Sequence, residues 1–377
     1  MDFSLQEEQE MLKKMASDFL TDECPKKLAR ELLEDRLGYS PQVWAKMAQL
    51  GWMGLVFPEK YGGGGASFVD LMILLEEMGR ASLPSPFFSS VVLGGLSVLQ
   101  GGSEGDKQTY LRNIISGDSV WTLALTEACG DYKASDIQTK AARHGKDYLI
   151  DGVKLFVPYA HVADYVLCAA RTNIATPSSE GITLLVVDAN TAGIACEVLP
   201  TSTWDRQCSV VFDQAKVPQQ SILGESDAGW DILTEVLQKA TLAKCAEMLG
   251  IAQQVLDMTV AYAKERIQFG RPIGSFQAIQ HYCANMLADV EASRYITYEA
   301  AWRLSTGLEC TTETAMAKAW LGEALQRIAV AAHQVHGAIG FCEEHDLPLY
   351  SRQAQACMAA FGDGDFHRET VAEAMGL

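Results

Sequence analysis

Apolar residues recur at helical spacing at both ends of the chain and alternate with polar ones at strand spacing in its middle. From Gly229 to about Arg266, the residues Ile232, Val236, Leu242, Leu249, Ile251, Val255 and Met258 fall mostly at helical intervals among Ala, Lys, Gln and Glu. Phe276 to about Thr306 and Thr312 to about Val335 read the same way, and the wide gaps between Pro218, Pro272 and Pro348 leave room for such helices. Three helices of roughly 25 to 40 residues in succession predict a bundle. The first 115 or so residues predict shorter helices. One runs from Leu5 to about Leu37 with a break near Pro25, another starts at Pro41 behind the cap Ser40, and a third spans Ser67 to Arg80.

At about Ser119 the pattern changes. Short runs such as DYLIDGVKLFV, ADYVLCAA, GITLLVVD, GIACEVL and CSVVFD alternate with Gly, Asp, Asn and Pro turn signals up to about Val217. The reading is α+β: an N-terminal helical domain over 1–118, a central antiparallel, barrel-like β domain over 119–225 and a C-terminal helical bundle over 226–377. The order of elements lacks βαβ alternation, and no G-x-G-x-x-G follows a strand, which argues against a Rossmann fold. The run Gly62 to Gly65 lacks the GK[ST] of a phosphate loop and reads as a turn between helices.

Composition narrows the partners. Forty-eight acidic against thirty basic residues give a formal net charge of −18 over 377 residues. Such a surface repels nucleic-acid backbones and anionic lipid headgroups. No apolar run reaches the roughly 18 residues of a membrane span, and the opening MDFSLQEE has neither a basic nor an apolar leader segment, so a cytoplasmic protein is expected. The ten cysteines show no CxxC spacing and no neighbouring His cluster, which argues against a metal site; they read as reduced packing residues.

Several strings in fixed order resemble the acyl-CoA dehydrogenase family of flavoproteins across essentially the whole chain. They are the opening MDFSLQEEQEML, Leu125-Thr126-Glu127, the string Gly152 to Phe156, the string Arg266 to Ile273 followed by Phe276-Gln277, and Gln334 to Phe341. The resemblance implies a helical domain, a barrel-like domain and a four-helix bundle around FAD, assembled as a homotetramer with the bundle at its core. It also implies an acyl-CoA substrate and an electron-transfer protein or other electron acceptor. The family chemistry is removal of an α-proton by a carboxylate while a β-hydride passes to flavin N5.

Carried over residue by residue, the resemblance assigns Leu125 and Thr126 to the flavin ring and Phe156 to an aromatic wall beside it. Pro158 stands where the family often has a threonine near flavin N5. Arg266 and Phe269 occupy R-x-x-F positions that meet the FAD diphosphate of a neighbouring subunit, where a planar guanidinium suits phosphate oxygens. Gln277, Gln334, Gly337 and Gly340 match other flavin-contact strings, while Asp363 and Asp365 fall where the family contacts the adenosine part. Tyr132, Phe361 and Gly362 map to the substrate. Without gaps the family's G-S-D becomes Asp131-Tyr132-Lys133; a short insertion aligns Ala134-Ser135-Asp136 instead.

The usual catalytic glutamate is absent. Its position is Phe361, and the second position used by some branches aligns with Ala240 or Thr241, none of which titrates near neutrality. Asp363 is the remaining candidate base, with a helix cap or FAD contact as its alternative; His367 reads as structural or surface. The N-terminal helix used by other branches offers Ser89 and Ser90 but no carboxylate. Three functions stay open: an FAD-dependent dehydrogenase acting on an unusual thioester, cyclic or dicarboxylic; a flavin-containing acyl-CoA lyase or desulfinase; and a non-catalytic subunit of a heterotetramer.

Overall fold

The structure is a computed structural model that describes residues 5–130, 132–173, 179–203 and 205–377. Residues 1–4 of the opening string and Asp131 lie outside the described residues. The order of elements begins with helices α1 (Glu7–Glu23), α2 (Lys26–Glu34), α3 (Pro41–Gln49) and α4 (Phe68–Ala81). A widened helical stretch, Phe88–Gly95, leads into α5 (Leu96–Gly101), α6 (Glu104–Asp106) and α7 (Arg112–Ile115). Strands β1 (Trp121–Ala124), β2 (Lys140–His144), β3 (Asp147–Pro158), β4 (Tyr165–Arg171), β5 (Ile182–Asp188), β6 (Ile194–Val198), β7 (Gln207–Pro218) and β8 (Ile222–Leu223) follow. The chain ends with α8 (Gly229–Glu265), the hairpin β9 (Ile267–Gln268) and β10 (Arg271–Pro272), then α9 (Gln277–Ser305), α10 (Thr311–His336), α11 (Leu347–Ala359) and α12 (Gly364–Ala374).

The expected boundaries hold for local reasons. Helix α1 ends at Glu23 and α2 begins at Lys26, with Pro25 in the break. Ser40 caps α3 by accepting from the Val43 amide at 3.3 Å, with Pro41 in the first turn. Ser67 and Asp70 cap α4 reciprocally.

The chain packs as two compact units, one of residues up to Glu31 with Ser67–Leu83 and Thr241–Leu377, the other of Leu32–Ala66 with Pro84–Ala240. The second unit, here the sheet unit, holds an eight-stranded sheet in the order β6-β7-β3-β2-β4-β5-β8, with β1 paired to β4. Its ladders are antiparallel except that β1 and β2 both run parallel to β4. The β2–β3 hairpin lies in the connection from β1 to β4, which gives that connection the length a parallel pairing requires. Ile150, Val157, Cys168, Leu185, Val187, Val210 and Phe212 form its core.

The first unit, here the bundle unit, packs Leu249 and Val255 of α8, Val290 of α9, Leu321, Leu325 and Ile328 of α10, and Tyr350 of α11 into one core. Helices α4 and α8 cross with their backbones touching. A methyl group on Gly250 would stand 1.9 Å from the carbonyl oxygen of Glu76, and one on Gly79 would stand 2.1 Å from that of Glu247. The Glu76 side chain accepts from Arg294 Nη1 at 2.6 Å and from Tyr298 Oη at 2.7 Å, which ties α9 to the same crossing.

Gly250→Ala therefore costs about 3 kcal/mol or more, because backbone rather than a movable side chain blocks the new carbon. Gly322→Ala, in the interior of α10 with open space around it, stabilises by about 1 kcal/mol. Denaturant midpoints of the two variants at equal slope check the contrast.

Candidate functional site

In the sheet unit, the turn after β1 is fixed by a buried ion pair. Lys154 is fully buried and Glu127 is 8% exposed. Lys154 Nζ donates to Glu127 Oε1 at 2.7 Å and to the Leu125 carbonyl at 3.0 Å. Glu127 also accepts from the Gln138 amide at 2.8 Å and the Thr139 amide at 3.0 Å. Burial alone would raise the Glu127 carboxyl, but Lys154 and the two amides outweigh it and hold the group below its usual range. Removing one member of such a pair costs about 3 to 5 kcal/mol, because the other charge is left buried alone.

This pair brings several of the nominated residues together. Leu125 is held through its carbonyl, and the Thr126 carbonyl accepts from the Leu155 amide at 2.9 Å. The next residue, Phe156, sits at an irregularity in the β3–β7 ladder with φ +53°, so its ring is thrown outward and is 54% exposed. Pro158, two residues on, uses its carbonyl to accept from Thr122 Oγ1 at 2.5 Å. Tyr132 lies half-buried in the loop ahead of the turn Ala134–Asp136. That turn is braced by Arg171, which donates to the carbonyls of Ala134 at 2.8 Å and Ile137 at 3.0 Å. Ser90 is used structurally, accepting from the Trp121 amide at 3.0 Å, and Ser89 donates to the Pro86 carbonyl at 3.0 Å.

In the bundle unit the nominated residues form two groups. Arg266 follows α8 and is exposed; its carbonyl accepts from the Ile273 amide at 2.8 Å and closes the β9–β10 hairpin. The turn of that hairpin, Phe269 at φ +53° and Gly270 at φ +77°, holds the Phe269 ring 92% exposed. Gln277 opens α9 and is exposed. Gln334, also exposed, and Gly337 at φ +64° close α10. Tyr262 stacks on His336 at 4.6 Å, which sets the last turns of α8 and α10 side by side. Arg266, Gln277, Gln334 and Gly337 therefore gather at one end of the bundle.

The loop of Phe361, Gly362 and Asp363 lies at the other end. Its anchor is the buried Lys318, which donates to the carbonyls of Met358 at 2.9 Å and Gly362 at 2.8 Å. Lys318 and His336 are separated on α10 by a rise of about 27 Å. Phe361 takes the left-handed conformation at φ +58°. His367 is buried and structural: its Nε2 donates to the Phe361 carbonyl at 2.9 Å, and burial first, then Lys318, pushes its imidazole down to about 4. Asp363 caps α12, accepting from the Phe366 amide at 2.9 Å. Asp365, with its side chain 84% exposed, pairs with Arg368. Ala240 and Thr241 are buried on α8.

In the sheet unit, Thr126 and the outward ring of Phe156 suit a planar flavin ring; in the bundle unit, taken by itself, an exposed guanidinium with two carboxamides suits phosphate oxygens. Sequence reasoning left three features without a role: the Lys154–Glu127 pair, the Lys318 anchor, and a contact between Cys208 and His161 at 3.6 Å. The first two carried a visible signal, a charge inside an otherwise apolar run.

Three family models match: the acyl-CoA dehydrogenase N-terminal domain over 6–118, the middle domain over 122–215 and the C-terminal domain over 227–376. The chain is 32% identical to a probable acyl-CoA dehydrogenase, YngJ, of Bacillus subtilis, over 99% of each chain. It is also 32% identical to the CarC subunit of the caffeyl-CoA reductase–Etf complex of Acetobacterium woodii, over 93% of each. Among solved structures, the glutaryl-coenzyme A dehydrogenase complex with glutaryl-CoA superposes with a TM-score of 0.95 at 30% identity, covering 100% of this chain and 97% of that one. Motifs, fold and relatives agree over the full described length: the chain belongs to the acyl-CoA dehydrogenase family.

Proposed function

We propose that the chain binds FAD and oxidises an acyl-CoA thioester whose acyl group differs from that of ordinary straight-chain substrates. The observation that carries this reading is the turn clamped by Lys154 and Glu127, which presents Thr126 beside the outward Phe156 ring. When bound, the flavin supplies the acceptor for the substrate's hydride.

The chain's own residues bind and orient. Thr126 and Phe156 meet the ring system, and Pro158 brings no side-chain or backbone donor to the place where relatives often carry a hydroxyl. Arg266 and Gln277 hold the diphosphate by charged and neutral hydrogen bonds, a local cationic contact on an acidic protein. Gln334 and Gly337 border the same end of the bundle. Asp363 and Asp365, about one helix length away, serve the adenosine end from a separate subunit. Shared binding of that kind requires an assembly. Tyr282, Leu287, Tyr295 and Trp302 of α9 and Trp320 and Val330 of α10 are exposed in the single chain, which supports a tetramer built on the bundle. Reoxidation by an electron-transfer protein is supported by the relative named as a subunit of a reductase–Etf complex.

At the place of the usual base, Phe361 cannot take a proton, and its loop is held by Lys318 and His367 rather than free to deliver a neighbour. We assign Asp363 a capping role. The acyl pocket consequently has an aromatic side chain where relatives place a carboxylate, which favours a bulky or cyclic acyl group.

An anaerobic panel of straight, branched, cyclic and dicarboxylic acyl-CoA thioesters tests the reaction. The yellow oxidised flavin is expected to bleach with at least one cyclic or branched member; no bleaching by any member contradicts it. Asp363→Asn, which keeps a cap of similar strength, is expected to preserve the bleaching rate within about threefold. A loss of about a hundredfold or more would make Asp363 the base.

A further inference from the structure

Helix α11 begins without a side-chain cap from Asp346, and the backbone of its first turn finds partners in another way. Pro348 brings no N–H, and the Leu349 amide donates to the Asp346 carbonyl at 3.1 Å. The amide of Leu347, a wholly buried residue, donates to Nδ1 of His345 at 3.1 Å. An amide only donates, so Nδ1 holds a lone pair and the neutral ring carries its hydrogen on Nε2.

Two more imidazoles stand beside this one. The His345 ring centroid lies 4.9 Å from that of His336, which is buried in the last turn of α10, stacks on Tyr262 and donates from Nδ1 to the Ala332 carbonyl at 2.8 Å. His333, one turn earlier, stacks on Phe341 at 4.5 Å and bonds through Nε2 to Ser351 Oγ of α11 at 2.7 Å. Burial above all holds His333 and His336 below the ordinary imidazole value, and the charge of His345 adds to the lowering in both. The other charged groups at the joint are matched. Arg30 of α2 binds the Glu344 carbonyl at 3.0 Å and pairs with Asp346, and Arg352 of α11 lies 3.6 Å from Glu343. Lys26 and Tyr350 lie within electrostatic reach of Asp346. Among the described residues, no carboxylate forms an ion pair with His345.

We propose that His345 is a proton-operated cap, and that protonating it releases the joint between α10 and α11. With hydrogens on both ring nitrogens, Nδ1 has no lone pair to offer the Leu347 amide. The new charge also stands at a helix N-terminus and beside His336, and both placements are unfavourable. Imidazole is the side chain that ordinarily changes charge between about pH 5 and 8. The rest of the cluster acts in the same direction. His333 and His336 take up protons less readily folded than unfolded, so the structure around them loses stability as the pH falls through about 6.5, the ordinary imidazole value. These two residues flank Gln334 in the last turns of α10, which places the device at that end of the bundle.

The test is hydrogen–deuterium exchange of the full-length protein at about pH 7.5 and about pH 5.5, read by mass spectrometry after peptic digestion, with each rate divided by the intrinsic exchange rate at that pH. Protection of the first turn of α11 is expected to fall about tenfold or more at the lower pH, while the middle of α9 keeps its own. In His345→Asn the side-chain oxygen accepts from the amide two residues on, as in an Asx turn, and does not titrate. Protection of the same turn in that variant is expected to agree within about twofold at the two pH values. Equal protection at both pH values in the wild type overturns the proposal without reference to the variant. A fall in His345→Asn as large as in the wild type overturns it too, because the proton then acts elsewhere. So does a fall shared by α9, which marks general unfolding in acid.

Discussion

One buried charge pair decides what the sheet unit can present. Lys154 and Glu127 are both buried, and backbone groups bind each of them as well: the Leu125 carbonyl the ammonium, the Gln138 and Thr139 amides the carboxylate. The pair converts a short irregular turn into a rigid one, and the turn carries Thr126. On the same strand as Lys154, the ladder irregularity turns Phe156 outward. A hydrophobic pair of equal volume would pack as well but would leave the two amides and the Leu125 carbonyl without partners. The charge pair organises backbone.

The bundle unit solves a similar problem at Lys318. A buried ammonium holds two carbonyls at the end of α11 and in the loop beyond it, and His367 holds a third. That loop carries Phe361 in a left-handed conformation.

The long helices and the order helix, sheet, helix were legible because apolar periodicity, proline gaps and Ser caps act locally, as at Ser40, Ser67 and Pro25. The parallel pairing of β1 with β4 was not, because alternation within a strand does not record which neighbour it meets. Motif strings nominated Thr126, Phe156, Arg266 and Gln277 as flavin contacts, and the structure leaves these four exposed or half-buried. They did not reveal that Arg266 and Phe361 belong to opposite ends of the bundle, since that depends on how far each lies along α10. The Cys208–His161 contact was invisible for a stronger reason: two segments far apart in sequence meet only in the fold.

The account rests on the claim that the buried pair positions the cofactor edge. Flavin affinity of wild type and Glu127→Gln, measured by equilibrium dissociation at a pH where circular dichroism shows both folded, tests it most directly. The account predicts affinity weakened about tenfold or more, equivalent to about 1.4 kcal/mol, with the fold retained. Unchanged flavin affinity in the folded variant would contradict it.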